Sequence, residues 1–155
     1  VEERFVNEAT ASECPIAARR EKLRKLTDAG VVCYPYRFRA SHGIAEALEQ
    51  FDELAAAETE ISLAGRVMIL RPMGKTTFGD LSTGEEKIQL FMRKNDLGEE
   101  VYPLLKLLDI GDYVGVEGTL FVTKMGERSI RVRKLTLLSK ALRPLPVVKE
   151  KEEDE

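Results

Sequence analysis

Phe78, Gln89, Phe91 and Arg93 are residue types that could recognise a flat, polar-edged ligand. An exposed aromatic face accepts an unpaired base at about 1–3 kcal/mol per base. An amide sets a donor beside an acceptor, so Gln89 could meet two of the acceptor, donor and acceptor atoms on the pairing edge of uridine. A guanidinium only donates and suits a carbonyl or a phosphate. These side chains share a face if Ile88, Leu90 and Met92 point inward, because strand side chains alternate. Lys87, Gln89, Phe91 and Arg93 then point outward. Alternation alone does not decide which aromatic is exposed, since a bulge reverses the phase.

Other chemistries find little support. The one histidine, His42, and two distant cysteines, Cys14 and Cys33, exclude a His/Cys zinc site and argue against a Ser-His-Asp or Cys-His machine. The two thiols read as reduced cysteines of a cytosolic protein. Gly74-Lys75-Thr76 imitates the end of a phosphate-binding loop, but that pattern also needs a glycine where Ile69 stands. Lys75 then faces solvent or a nucleic-acid phosphate. Gly111, Gly115 and Gly118 fall within a strand pattern and form no dinucleotide fingerprint.

The elements that must position the outward face follow from periodicity. Residues 1–14 have no clear period. Pro15 suits a helix start, good helix formers follow, and Gly30 suits the stop. Ile16, Leu23 and Leu26 form a thin apolar stripe on that helix. Its Arg and Lys residues are a solvated face or a face for a nucleic-acid backbone. Tyr34-Pro35-Tyr36-Arg37-Phe38 is extended and aromatic. Ser41 is expected to cap a second helix bearing Ile44, Ala47, Leu48 and Phe51 on one face.

From residue 61 the period becomes two. Ile61, Leu63, Gly65, Val67 and Ile69 mark a long first strand that could bend at its glycine. Turns at 72–75 and 83–85 separate it from strands at 76–82 and 87–93. A helix is expected over 99–108, a fourth strand over 113–123 broken by Gly115 and Gly118, and a fifth over 129–138. Ile130, Val132, Leu135 and Leu137 are the core candidates of that last strand. Three strands, a helix and two strands are the order of an OB-fold, a small five-stranded barrel that binds oligonucleotides or oligosaccharides on its strand 2–3 face. The predicted class is mainly β with helices: residues 1–60 an N-terminal helical extension, 61–146 the barrel, 147–155 an acidic tail or truncated linker.

A net charge of −3 spans 24 basic and 27 acidic residues, and the acidic excess lies in the flanks around a mildly basic body. A polyanion partner for the body is allowed but not demanded. No apolar run reaches the roughly 18–20 residues of a membrane helix, so no membrane partner is expected.

An ordered series of motifs then resembles one family. Gly65-Arg66-Val67-Met68, Arg71-Pro72-Met73-Gly74-Lys75-Thr76-Thr77-Phe78, Lys87-Ile88-Gln89-Leu90 and Leu108-Asp109-Ile110-Gly111-Asp112 resemble the N-terminal anticodon-binding domain of class II lysyl-tRNA synthetases. So do Thr123-Lys124-Met125-Gly126-Glu127-Arg128-Ser129-Ile130 and the exit segment Leu137-Leu138-Ser139-Lys140-Ala141-Leu142-Arg143-Pro144-Leu145-Pro146. Upstream, Arg19, Lys22, Leu23, Leu26, Gly30 and Tyr34-Pro35 fit its N-terminal helix. Aspartyl and asparaginyl relatives share parts of the pattern; Lys140 to Pro146 and the Met73-Gly74-Lys75 turn favour lysine.

The resemblance implies binding of tRNA through a uridine-rich anticodon loop. It implies that Phe78 stacks on the central uridine, that Arg71 and Gln89 bond its edge, and that Glu127 reads a neighbouring base or ribose. Lys75 and Phe91 belong to the same expected surface, and Arg19, Arg20, Lys22 and Arg24 could steer the tRNA backbone. Nothing resembles the family's catalytic domain, so the chain alone should be no enzyme and hold no cofactor; ATP and magnesium would belong to the absent part. The parent would be cytoplasmic, and a homodimer is conceivable. Two other readings are a free-standing module for single-stranded nucleic acid and an interaction module using Tyr34, Tyr36 and Phe38.

Overall fold

The computed structural model describes residues 15–32, 34–35 and 37–145. The expected lead-in 1–14, both cysteines, Tyr36 and the acidic tail lie outside the described residues. Helix α1 (Pro15–Asp28) is followed by two short helices, α2 (Ile44–Glu49) and α3 (Phe51–Ala56). Strands β1 (Glu60–Met73), β2 (Thr76–Ser82) and β3 (Lys87–Arg93) come next, then helix α4 (Lys94–Leu97) and a 3-10 helix (Tyr102–Leu107). Strands β4 (Tyr113–Val122) and β5 (Arg128–Ser139) complete a closed barrel in the order β1-β2-β3-β5-β4. All pairings are antiparallel except β3 with β5.

Period two puts Ile61, Leu63 and Val67 of β1 into the core with Leu81, Ile88, Leu90, Met92, Val114, Val116, Ile130 and Val132. β1 is long enough to pair with β4 through Arg66 and with β2 from Arg66 onward. The irregularity in β1 falls between Val67 and Ile69 rather than at Gly65. One extra residue there, Met68, breaks the alternation, so Ile69 leaves the fully buried row.

A second irregularity explains the last strand. Glu117 pairs with Lys134 but Gly118 with Val132, leaving Arg133 unmatched. The buried row therefore changes phase along β5: Ile130 and Val132 are fully buried, then Leu137, while Leu135 is only partly covered. β4 is not broken by its glycines as the sequence suggested; both sit inside it because something lies too close for a side chain. A Cβ on Gly118 would stand 1.9 Å from the Arg131 carbonyl oxygen, and one on Gly115 2.4 Å from the Phe38 ring.

The helices also differ from the sequence reading. Ser41 does not cap α2. Gly43 precedes its first residue, and the Ser41 hydroxyl instead accepts from the Ser62 amide at 2.8 Å, joining the approach segment to β1. The chain turns at Gln50, dividing one expected helix into α2 and α3. No α-helix spans 99–108: that stretch holds only the 3-10 helix, with Pro103 in its first turn, and the short α4 lies before it.

A polar cluster ties α1 to the barrel. Lys140, 3 % exposed, donates to Asp109 at 2.7 Å and to Asp112 at 2.9 and 3.1 Å. Lys22 of α1 donates to Asp109 at 2.6 Å, and Arg19 donates to the carbonyls of Ile110, Ala141 and Arg143. Burial works to raise the Asp109 carboxyl, but hydrogen bonds from Lys140 and Lys22 outweigh it and hold the group below its usual range.

Candidate nucleic-acid interface

The outward row of β3 meets the outward rows of β1, β2 and β4 in one groove. Phe78 and Phe91 are directly opposite in the β2–β3 register, with ring centroids 5.3 Å apart and planes tilted by 58°. Phe121 of β4 adds a third ring, 5.3 Å from Phe91 and nearly perpendicular to it. Aromatic pairs favour such tilted and edge-to-face arrangements over a flat sandwich. The guanidinium of Arg93 lies 5.6 Å from the Phe91 ring centre. Arg93 is held from behind by Asp96, which also takes two bonds from Arg131, at 2.9 and 2.7 Å. The hydrogen bonds from Arg131 and then Arg93 keep the Asp96 carboxyl far below its usual range.

The groove encloses about 640 Å³ and is lined by Arg71, Met73, Phe78, Gln89, Phe91, Phe121, Thr123, Lys124, Met125 and Glu127. Arg71 comes from the far end of β1, where the strand extends past the barrel toward its hairpin. Glu127 comes from the β4–β5 turn, which is closed by Thr123 and Glu127 bonding across it. Met73 and Met125, 64 % and 91 % exposed, are soft side chains along the rim. A second hollow of about 540 Å³ adjoins the first, sharing Arg71, Gln89 and Glu127 and adding Asp80, Lys87 and Arg128 among others.

Five residues expected from the sequence thus converge: Arg71, Phe78, Gln89, Phe91 and Glu127. Both phenylalanines are half-buried, which answers the question alternation left open. Lys75 does not line the groove; it is exposed on the two-residue β1–β2 turn. None of Arg19, Arg20, Lys22 and Arg24 lines it either. Arg19 and Lys22 are engaged in the polar cluster, Arg24 pairs with Glu21 at 2.7 Å, and Arg20 is exposed. The sequence reading missed Phe121. Its signal was present, because Leu120 faces the core and the next residue must face out.

A closed five-stranded barrel carrying aromatic rings and hydrogen-bonding groups on its β2–β3 side defines the OB-fold nucleic acid binding domains. The family model of that description matches residues 61–138, and the chain belongs to this family. Within it, the chain matches the anticodon-binding domain of lysyl-tRNA synthetases. It is 46 % identical over 131 residues to a lysine–tRNA ligase of Moorella thermoacetica, covering 84 % of this chain and 26 % of that protein. A lysine–tRNA ligase of Lactococcus lactis is 47 % identical over 133 residues, covering 83 % and 27 %. One from Methanoculleus marisnigri is 45 % identical over 136 residues, covering 86 % and 27 %. The chain spans about a quarter of the length of the curated relatives it matches. Among the described residues, no helix is long and apolar enough to cross a membrane.

Proposed function

We propose that this chain binds tRNA through a uridine-rich anticodon and serves as the non-catalytic reading domain of a cytoplasmic lysine–tRNA ligase. The observation that carries this is the convergence of Phe78, Arg71, Gln89 and Glu127 on one groove from four separate strands and turns. The rings supply a stacking surface. Arg71 and Gln89 can donate, and Glu127 can accept. Uridine presents acceptor, donor, acceptor along its pairing edge, so the donors Arg71 and Gln89 complement the central base, while Glu127 can accept from the N3–H of a neighbouring uridine. Cytidine lacks the N3–H that a carboxylate would accept.

Binding to phosphates adds affinity without sequence information, and it weakens as salt rises. The salt dependence therefore separates base reading from charge. The test is a fluorescence titration with a UUU anticodon stem-loop and with one whose central uridine is cytidine, at two salt concentrations. Preference for uridine at both is expected. Equal binding would reduce the function to that of a general single-stranded nucleic-acid module.

Lysine activation belongs, on this reading, to a catalytic domain that would supply ATP and magnesium sites. The chain by itself should show no lysine-dependent exchange of pyrophosphate into ATP. Exchange above a buffer control would contradict this. A homodimer, if formed, would be a property of the parent protein; sedimentation of this chain at high concentration should show a monomer.

A further inference from the structure

We propose, on the reading of the groove as a base-stacking site, that Met73 and Met125 are its oxidation-sensitive clasp: as thioethers they cover a base seated on Phe78, and as sulfoxides they release it. The four methionines of the chain stand in three different situations. Met92 is 1 % exposed in the barrel core. Met68 is 40 % exposed but lies away from the groove, in a hollow with Arg66, Ser82 and Tyr113. Met73 and Met125 are the most exposed of the four, and both line the groove.

The two reach the groove from different hairpins. Met73 ends β1 and pairs with Thr76 across the β1–β2 turn, two residues from the Arg71–Phe78 pair. Met125 stands in the β4–β5 turn, where the Thr123 amide donates to the Glu127 carbonyl and the Gly126 amide to the Thr123 carbonyl, each at 2.9 Å. These pairings fix the backbones, while the side chains are surrounded mostly by water. Thioethers so exposed add little to the fold, because they bury little apolar surface. They are placed to lose that water when a base enters between the hairpins. Sulfur attracts an aromatic ring, and the unbranched side chain adapts to the shape it meets.

A hydroperoxide changes this contact. The Sδ lone pair takes the terminal oxygen and the O–O bond breaks. Hydroxide or alkoxide leaves with the bonding pair and takes up the peroxide's proton, giving water or an alcohol. Sulfur is oxidised by two electrons and the peroxide is reduced by two. The sulfoxide is polar and keeps its water, so the apolar cover is lost. Met92 is out of the peroxide's reach while the chain stays folded.

The experiment treats the full chain with dilute hydrogen peroxide and maps sulfoxides by peptide mass spectrometry. Oxidised and unoxidised chains are then titrated with the uridine-centred stem-loop. The same pair of titrations is made for Met73→Leu/Met125→Leu and for Met68→Leu, with circular dichroism and Tm as checks of fold. Met73 and Met125 should carry oxygen while Met92 stays reduced. Oxidation should weaken binding about fivefold in the unaltered chain and in Met68→Leu, the scale of one or two sulfur–aromatic contacts. In the double variant, whose rim holds no sulfur, the loss should be below about twofold. The ratio is taken within each chain, so any effect of leucine on the starting affinity cancels. Methionine sulfoxide reductases of both epimer specificities, with dithiothreitol as electron donor, should restore the affinity. Dithiothreitol alone should not, which separates the methionines from the cysteines.

Unchanged affinity in a chain carrying both sulfoxides would overturn the proposal. So would an equal loss in the double variant, restoration by dithiothreitol alone, or a peroxide-treated chain in which Met73 and Met125 stay reduced. An unoxidised chain that does not prefer the uridine-centred to the cytidine-centred stem-loop would be a different failure. It would refute the base-reading groove itself, and the clasp with it.

Discussion

At the scale of single residues, the groove divides stacking from edge reading. Phe78 is the register partner of Arg71 on β1 and of Phe91 on β3, whose ring packs against it at a tilt. Phe78→Ala should weaken binding of a uridine-centred stem-loop by about 1–3 kcal/mol, read by titration, with the fold kept and Tm lowered by a few degrees for the lost packing on Phe91. An intact fold with unchanged affinity would remove Phe78 from the site. The face of β3 was legible from alternation, because no bulge interrupts that strand. Phe121 was legible by the same rule, but its proximity to Phe91 was not: β4 and β3 are separated by β5 in the barrel order.

Elements show where a charge pattern misleads. From charge alone the basic side of α1 reads first as a solvated face and second as a backbone contact. The folded chain uses two of those charges internally, Arg19 on three carbonyls and Lys22 on Asp109. Their sequence neighbours Arg20 and Arg24 remain at the surface. Arg20→Glu should therefore leave Tm unchanged, and any effect on RNA affinity should fade with salt. Lys22→Ala should lower Tm by a few degrees, since about 1 kcal/mol moves a domain of this size by roughly 2–4 °C. A thermal melt of each separates the two roles. Lys140→Met should be far more damaging, because removing one partner of a buried ion pair costs about 3–5 kcal/mol. A melt close to that of the unaltered chain would show that Asp109 and Asp112 do not need it.

The whole molecule couples its site to its stability through carboxylates. Asp96 stands behind Arg93 and Arg131, and Asp109 joins α1 to the exit segment; both have carboxyl groups held below their usual range. A lowered folded-state pKa contributes stability that is fully present above the unfolded value, about 3.9 for aspartate. That stability is lost as pH falls through the folded value. Urea denaturation should consequently give a flat stability from neutral pH down to about pH 5 and a decline below about pH 4. Asp96→Asn should flatten part of that decline, because an amide does not titrate. An acid limb identical in the variant would show that Asp96 contributes nothing to it.

The sequence by itself determined the strand order, the first helix, the inward row of β3 and the family motifs. These depend on local period, on turn residues and on the order of short motifs along the chain. Only the tertiary structure decided the phase of β1 after Met68 and of β5 around Arg133. An inserted residue is recognised by its missing partner, and the partner lies on another strand. Tertiary structure also decided that Arg19 and Lys22 turn inward, and that Gln89 faces Ser129 forty residues away. Each of those contacts exists because barrel closure brings distant strands into register, and closure is a property of the assembled sheet that no local window contains.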